Sequence, residues 1–171
     1  MSTVRVIAVA TTAVILMFAI GTGAAAVALG SAPAAGSFVR PVRGAVVSQG
    51  FGCTSVSIEP VDRACPGGHW HSGIDLAVAW GTAVDATAAG RAHVIVSAFG
   101  FGLHVVIDHG GGLVSLYGHL SSVVIADGAA VNSGDLIGAV GSSGNSTGPH
   151  LHFEIDRNGV AEDPRMLVAL P

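Results

Sequence analysis

Lysine is absent from this 171-residue chain, and the seven basic residues are all arginines. A Schiff-base lysine or a lysine general base is thereby excluded. Charge is scarce altogether, with eleven acidic residues against the seven arginines and a formal net charge of -4. No arginine cluster exists, and the lack of dense basic surface argues against a nucleic-acid partner. The two cysteines, Cys53 and Cys65, are too few for a disulfide scaffold, and their spacing excludes a Cys-x-x-Cys redox or zinc motif. The 25 glycines follow no Gly-X-Y period, so the chain is not collagen-like. No internal repeat is present, which argues against a solenoid or propeller. Half of the residues are hydrophobic, which a disordered chain would not show. What stands out on the positive side is eight histidines.

Charge is missing entirely from positions 6 to 39, between Arg5 and Arg40, and Val6 to Ile20 is strongly apolar. A short basic start, an apolar run and the small-residue pattern Ala32-Pro33-Ala34 read as an export signal. Val6 to Leu29 is also long enough to remain as a membrane anchor, since about 20 apolar residues span a bilayer as a helix. On either reading Arg5 holds the N-terminus on the cytoplasmic side and the remainder is exported. The expected organisation is a signal peptide or transmembrane anchor over residues 1–30, a linker over 31–37 and one domain over 38–171. Its expected place is the cell envelope, anchored with the domain outside, or the medium if the segment is cut. A membrane is then a partner only through the uncut segment. Export also permits Cys53 and Cys65 to form one disulfide, a local staple worth at most about 3 kcal/mol.

Beyond the linker, short β-type runs alternate with glycine turns: Ala45 to Ser48, Ala92 to Ser97, Leu103 to Asp108, Leu113 to Tyr117, Leu136 to Val140 and Leu151 to Asp156. No helical period interrupts them. His109-Gly110-Gly111-Gly112 lies between two such runs and reads as a hairpin connection. An antiparallel all-β domain is predicted. In His150-Leu151-His152-Phe153-Glu154-Ile155-Asp156 polar and apolar residues alternate throughout. A strand places His150, His152, Glu154 and Asp156 on one face and Leu151, Phe153 and Ile155 on the core side. For Glu154 and Asp156 a solvated outer face is the plain expectation. Two imidazoles two residues apart on one strand face are another matter, because they share a small volume and suit a metal.

A second cluster lies at His69-Trp70-His71-Ser72-Gly73-Ile74-Asp75, where Gly73 suits a tight loop entering a strand. His71, Asp75 and one histidine of the later His-x-His make a set of two nitrogens and a carboxylate oxygen, the three-ligand pattern of a catalytic zinc site with an open fourth position. His93, His104 and His109 have no partner spacing and are expected to be surface or hydrogen-bonded histidines.

Phe51-Gly52, His71-Ser72-Gly73-Ile74-Asp75, Tyr117-Gly118-His119-Leu120 and the stretch Gly144 to Glu154 together resemble the M23 (LytM/lysostaphin-type) zinc metallopeptidases, over roughly residues 38 to 168. The resemblance implies an antiparallel β-sheet groove, one zinc ion held by His71, Asp75 and His152, and catalytic roles for His119 and His150 beside it. It also implies an exported metalloendopeptidase whose substrate is the peptide part of bacterial peptidoglycan, cross-link or stem. The alternative within the fold is a non-catalytic module that binds the wall or activates another hydrolase. Glu154 is a candidate to orient a ligand imidazole. Some relatives carry a tyrosine before the first ligand; the corresponding stretch here has none, and His69 is the candidate substitute, although exposure is the plainer expectation for it. The little chain ahead of the domain leads to the expectation of no long inhibitory prosegment.

Overall fold

The computed structural model describes residues 38–171, and the apolar segment and linker expected over 1–37 lie outside the described residues. Apart from one 3-10 turn at Pro164–Met166, the described elements are antiparallel strands in three sheets, as expected of an all-β domain. The largest sheet holds β1 (Val46–Gln49), β4 (Ile74–Ala77), β12 (His150–Arg157), β8 (Leu113–Gly118), β7 (Leu103–Asp108), β6 (Gly90–Val96) and β10 (Ala130–Val131) in that order, with β13 (Val160–Glu162) paired to the far end of β12. A second sheet has the order β5 (Ala83–Asp85), β11 (Leu136–Val140) and β9 (Leu120–Val123). The hairpin of β2 (Gly52–Thr54) and β3 (His69–His71) stands apart. Among the described residues no helix is long and apolar enough to cross a membrane.

The core lies between the two larger sheets. Ile74, Leu76, Val105, Ile107, Leu151, Phe153 and Ile155 leave one face of the large sheet, Val84, Leu120, Ile137 and Val140 meet them from the small one, and all are fully buried. Burying a side chain of this size is worth about 1.5–3 kcal/mol, so the pairing of the sheets rests on this layer. The hairpin predicted at His109 to Gly112 joins β7 to β8, and Gly110, Gly111 and Gly112 all take positive φ, which side chains other than glycine rarely adopt. The β run predicted over Leu113 to Tyr117 continues one residue further, so that Gly118 completes β8, and the chain bends at His119.

The face of the large sheet turned away from the core carries the histidines. On β12 the alternation holds, but this outer face is covered: His152 and Glu154 are 3% and 5% exposed. The solvated-face expectation is therefore wrong for Glu154. A ring from another segment, Phe101, stacks on His152 at 5.0 Å and helps close that face. Asp156, one step further along the same face, is half-buried.

Two short strands outside the predicted β runs, β3 and β4, carry the first residues of the site. His71 ends β3, Asp75 lies in β4, and the register pairs Asp75 directly with His152 of β12 and His152 with Gly118 of β8. Gly73, in the bend between β3 and β4, lies so close to β12 that an added Cβ would stand 2.5 Å from the Phe153 carbonyl oxygen and 3.0 Å from His152 Nε2. That approach lets two residues on either side of one bend point into a common site.

Candidate metal centre

His71 Nε2, Asp75 Oδ1 and His152 Nδ1 converge, at 3.2 Å between His71 and Asp75, 3.0 Å between the two imidazoles and 2.9 Å between His152 and Asp75. The edge of a tetrahedron around an ion bound at about 2.0–2.1 Å is about 3.3 Å, close to all three. The protons of the two rings are spoken for on their other nitrogens. His71 Nδ1 donates to the Gly50 carbonyl at 2.8 Å, and His152 Nε2 donates to Glu154 Oε1 at 2.8 Å. Neutral, both imidazoles therefore turn lone pairs toward the Asp75 carboxylate, an arrangement of three acceptors that calls for a cation. The donor set, two nitrogens and one carboxylate oxygen, fits zinc.

Without a metal, a proton on His152 takes the cation's place. Burial disfavours the charged form of His152, but its hydrogen bonds to Asp75 and Glu154 outweigh burial and push its pKa up to about 9. Burial raises the Asp75 pKa, and the bonds from His152 and His71 overcome it, holding the carboxylate well below its usual range. Glu154 is likewise held low by His152 against its own burial, and it also accepts from the Ser72 hydroxyl. Glu154 thus orients His152, the second of the two roles its sequence position suggested.

His119 and His150 stand over this cluster with ring centroids 4.7 Å apart. Each is anchored through Nδ1 on a backbone carbonyl, His119 on Ser143 at 2.7 Å and His150 on Gly148 at 2.8 Å. The Nε2 of His150 lies 3.6 Å from Asp75 Oδ1. Burial, with the neighbouring His150 and His152, lowers the His119 pKa to about 4, so this ring is neutral over the whole neutral range. His119 also takes φ 61°, left-handed backbone that costs a non-glycine residue about 1–2 kcal/mol. It stands where the chain leaves the large sheet for the small one, and the strained turn delivers its ring to the groove.

The five residues predicted for metal and catalysis are thus in one place. His69 is not: its half-buried ring donates to the Glu59 carbonyl at 2.7 Å, away from the groove lining. His104 and His109 are hydrogen-bonded and buried, and half-exposed His93 faces Asp127. Cys53 and Cys65 form a disulfide across the base of the loop between β2 and β3. Sequence reasoning missed Phe101, Gln49 and Glu59, which line the same cavity of about 470 Å³ as His119, His150 and His152. None of these three belongs to a spacing motif, so no signal in the chain marked them.

The model of peptidase family M23 matches residues 69–164, more than half of the chain. The chain belongs to peptidase family M23. Among solved structures the catalytic domain of the prophage-encoded M23 protein EnpA from Enterococcus faecalis superposes with a TM-score of 0.63 at 32% identity, over 75% of this chain and 95% of that one. The DD-carboxypeptidase/endopeptidase Mpg of Neisseria meningitidis is 46% identical over 101 residues, 59% of this chain and 23% of that protein. The murein hydrolase activator EnvC of Escherichia coli is 42% identical over 93 residues, 54% of this chain and 22% of that protein. This M23 chain therefore spans less than a quarter of the length of either curated relative.

Proposed function

We propose that this M23 protein is an exported zinc metalloendopeptidase that hydrolyses peptide bonds in bacterial peptidoglycan. The observation that carries the reading is the convergence of the His71, Asp75 and His152 donor atoms beside the anchored imidazoles of His119 and His150 in an open groove. His71, Asp75 and His152 would hold the zinc. When bound, zinc polarises a carbonyl and acidifies water, the two things an unactivated amide needs.

The remaining chemistry belongs to the protein. With Nδ1–H fixed on the Gly148 carbonyl, His150 presents a lone pair at Nε2 and takes a proton from the attacking water as its oxygen bonds to the peptide carbon. The proton then passes to the departing amide nitrogen as the C–N bond breaks. His119 presents Nε2 in the same way and, neutral, accepts a hydrogen bond from the attacking water and holds it in line. Phe101 over His152 and the buried Glu154 beneath it keep that ring fixed and shielded from water.

The apolar stretch within residues 1–30 serves as signal or anchor, residues 31–37 as linker and residues 38–171 as the peptidase domain, with the groove outside the cytoplasmic membrane. Likeness to Mpg, named for DD-carboxypeptidase and endopeptidase activity, supports peptide-bond hydrolysis. The test is to incubate the zinc-loaded full chain with isolated peptidoglycan and count new free amines against new reducing sugar ends, with and without a chelator. Amines that vanish with chelator are expected. In the same assay His152→Ala loses both zinc and cleavage, whereas His150→Ala loses cleavage and retains zinc; equal zinc loss in both overturns the division of roles. The likeness to EnvC favours a second reading, an activator of another hydrolase, and that reading predicts folded, zinc-loaded protein that releases no amines.

A further inference from the structure

The carboxylate of Glu59 lies outside the His71, Asp75 and His152 cluster and is neither of the two imidazoles beside it, yet it is held in place with care. It hangs from the loop that the Cys53–Cys65 disulfide closes. Its backbone N–H donates to the Val56 carbonyl at 3.2 Å, its own carbonyl accepts from the His69 ring at 2.7 Å, and Oε1 accepts from Gln49 Nε2 at 2.9 Å. That oxygen lies 3.9 Å from His71 Nε2, at the metal end of the groove. Among the described residues Gln49 alone donates to the carboxylate, whose remaining lone pairs are left for an occupant of the cavity.

The surroundings narrow what that occupant is. Val56, Ile58 and Pro60, from the same loop, line the cavity on either side of Glu59 in the chain, and Val56 and Ile58 are 39% and 42% exposed there. Among the described residues no arginine lines the cavity, and the chain has no lysine, so neither answers the carboxylate. An acidic group among exposed aliphatic side chains is complementary to an aliphatic arm that ends in an ammonium: the methylenes pack on the wall and the head meets the charge.

We propose that Glu59 is a specificity-determining residue that receives a primary amine of the substrate, the side-chain ammonium of a diamino acid close to the scissile bond. The inference rests on the peptidase reading above for the nature of the substrate, but its test reads binding and not turnover. The zinc-loaded full chain, carrying His150→Ala so that the ligand stays intact, is titrated calorimetrically with the stem peptide L-Ala-D-isoGlu-L-Lys-D-Ala-D-Ala, with the lysine amine free or acetylated. Acetylation is expected to weaken binding about tenfold, the scale of one hydrogen-bonded charge pair. Glu59→Gln keeps the size of the side chain and a partner for Gln49; it should bring the free-amine peptide down to the acetylated level and leave both the acetylated peptide and the zinc affinity unchanged. Equal affinity for the two peptides, binding of neither, or discrimination that survives Glu59→Gln overturns the proposal. A fall in zinc affinity in Glu59→Gln overturns it in another way, by making the carboxylate a metal ligand. Failure of the peptidase reading looks different: discrimination intact, with no bond cut by the unsubstituted, zinc-loaded protein.

Discussion

His152 sits between two carboxylates, and its proton is the thing a metal has to displace. Its pKa of about 9 lies above the ordinary 6.5, so between those values the folded chain binds a proton that the unfolded chain does not. In metal-free protein the stability from that proton is complete below 6.5 and disappears as the pH rises through about 9. Zinc binding at about pH 8 should therefore release about one proton, read by calorimetry in buffers of different ionisation enthalpy. His119 shifts the other way: with a folded value of about 4, it takes stability away as the pH falls from 6.5 toward 4. Glu154 accounts for part of the His152 shift, and its role is testable without turnover. Glu154→Gln should weaken zinc binding about 10–100-fold in a competition titration with a chelator, while the melting curve of the zinc-loaded protein stays cooperative.

At the scale of elements, β12 was the strand the sequence marked most plainly, because strict alternation over seven residues matches a strand and no helical period. The same alternation misjudged Glu154. Period two says which residues share a face, but whether that face meets water depends on Phe101, β3 and β4, which arrive from elsewhere in the chain. The strands β2, β3, β5, β10 and β13 went unread because each has only two to three residues, too short for any period. The carbonyls of Gly50, Ser143 and Gly148, which fix three of the four imidazoles, are backbone atoms and leave no trace in the residue letters. Gly73 was read as a loop former, and its closer duty is contact with β12. Gly73→Ala, with its new Cβ against the Phe153 carbonyl, must push β4 from β12; a destabilisation of about 2 kcal/mol or more is expected in urea unfolding, together with weaker zinc binding.

In the whole molecule, two polar systems lie on opposite sides of one sheet. The groove is one. The other is buried: His109 Nε2 bonds Ser115 Oγ at 2.8 Å, Ser115 Oγ donates to the Tyr117 hydroxyl at 2.9 Å, and that hydroxyl meets the backbone N–H and Oγ1 of Thr87, each at 2.8 Å. It ties β8 to the segment between β5 and β6. Tyr117→Phe would leave the Thr87 N–H and hydroxyl without their partner and should cost about 1–3 kcal/mol in urea unfolding, with zinc content unchanged.

The floor of the groove and its walls have different origins. Asp75 and His152 hang from paired strands at the middle of the large sheet, while the walls come from the disulfide-closed loop and from the segment around Asn145 to Thr147. Each wall segment carries its own bracing, the Cys53–Cys65 bridge in one and hydrogen bonds from Asn145 and Ser146 in the other. A lengthened or exchanged loop therefore leaves the donor atoms where they are. Such a division lets one set of donor atoms be given a different rim, and it makes those two loops the natural places to graft a new ligand preference onto this chain.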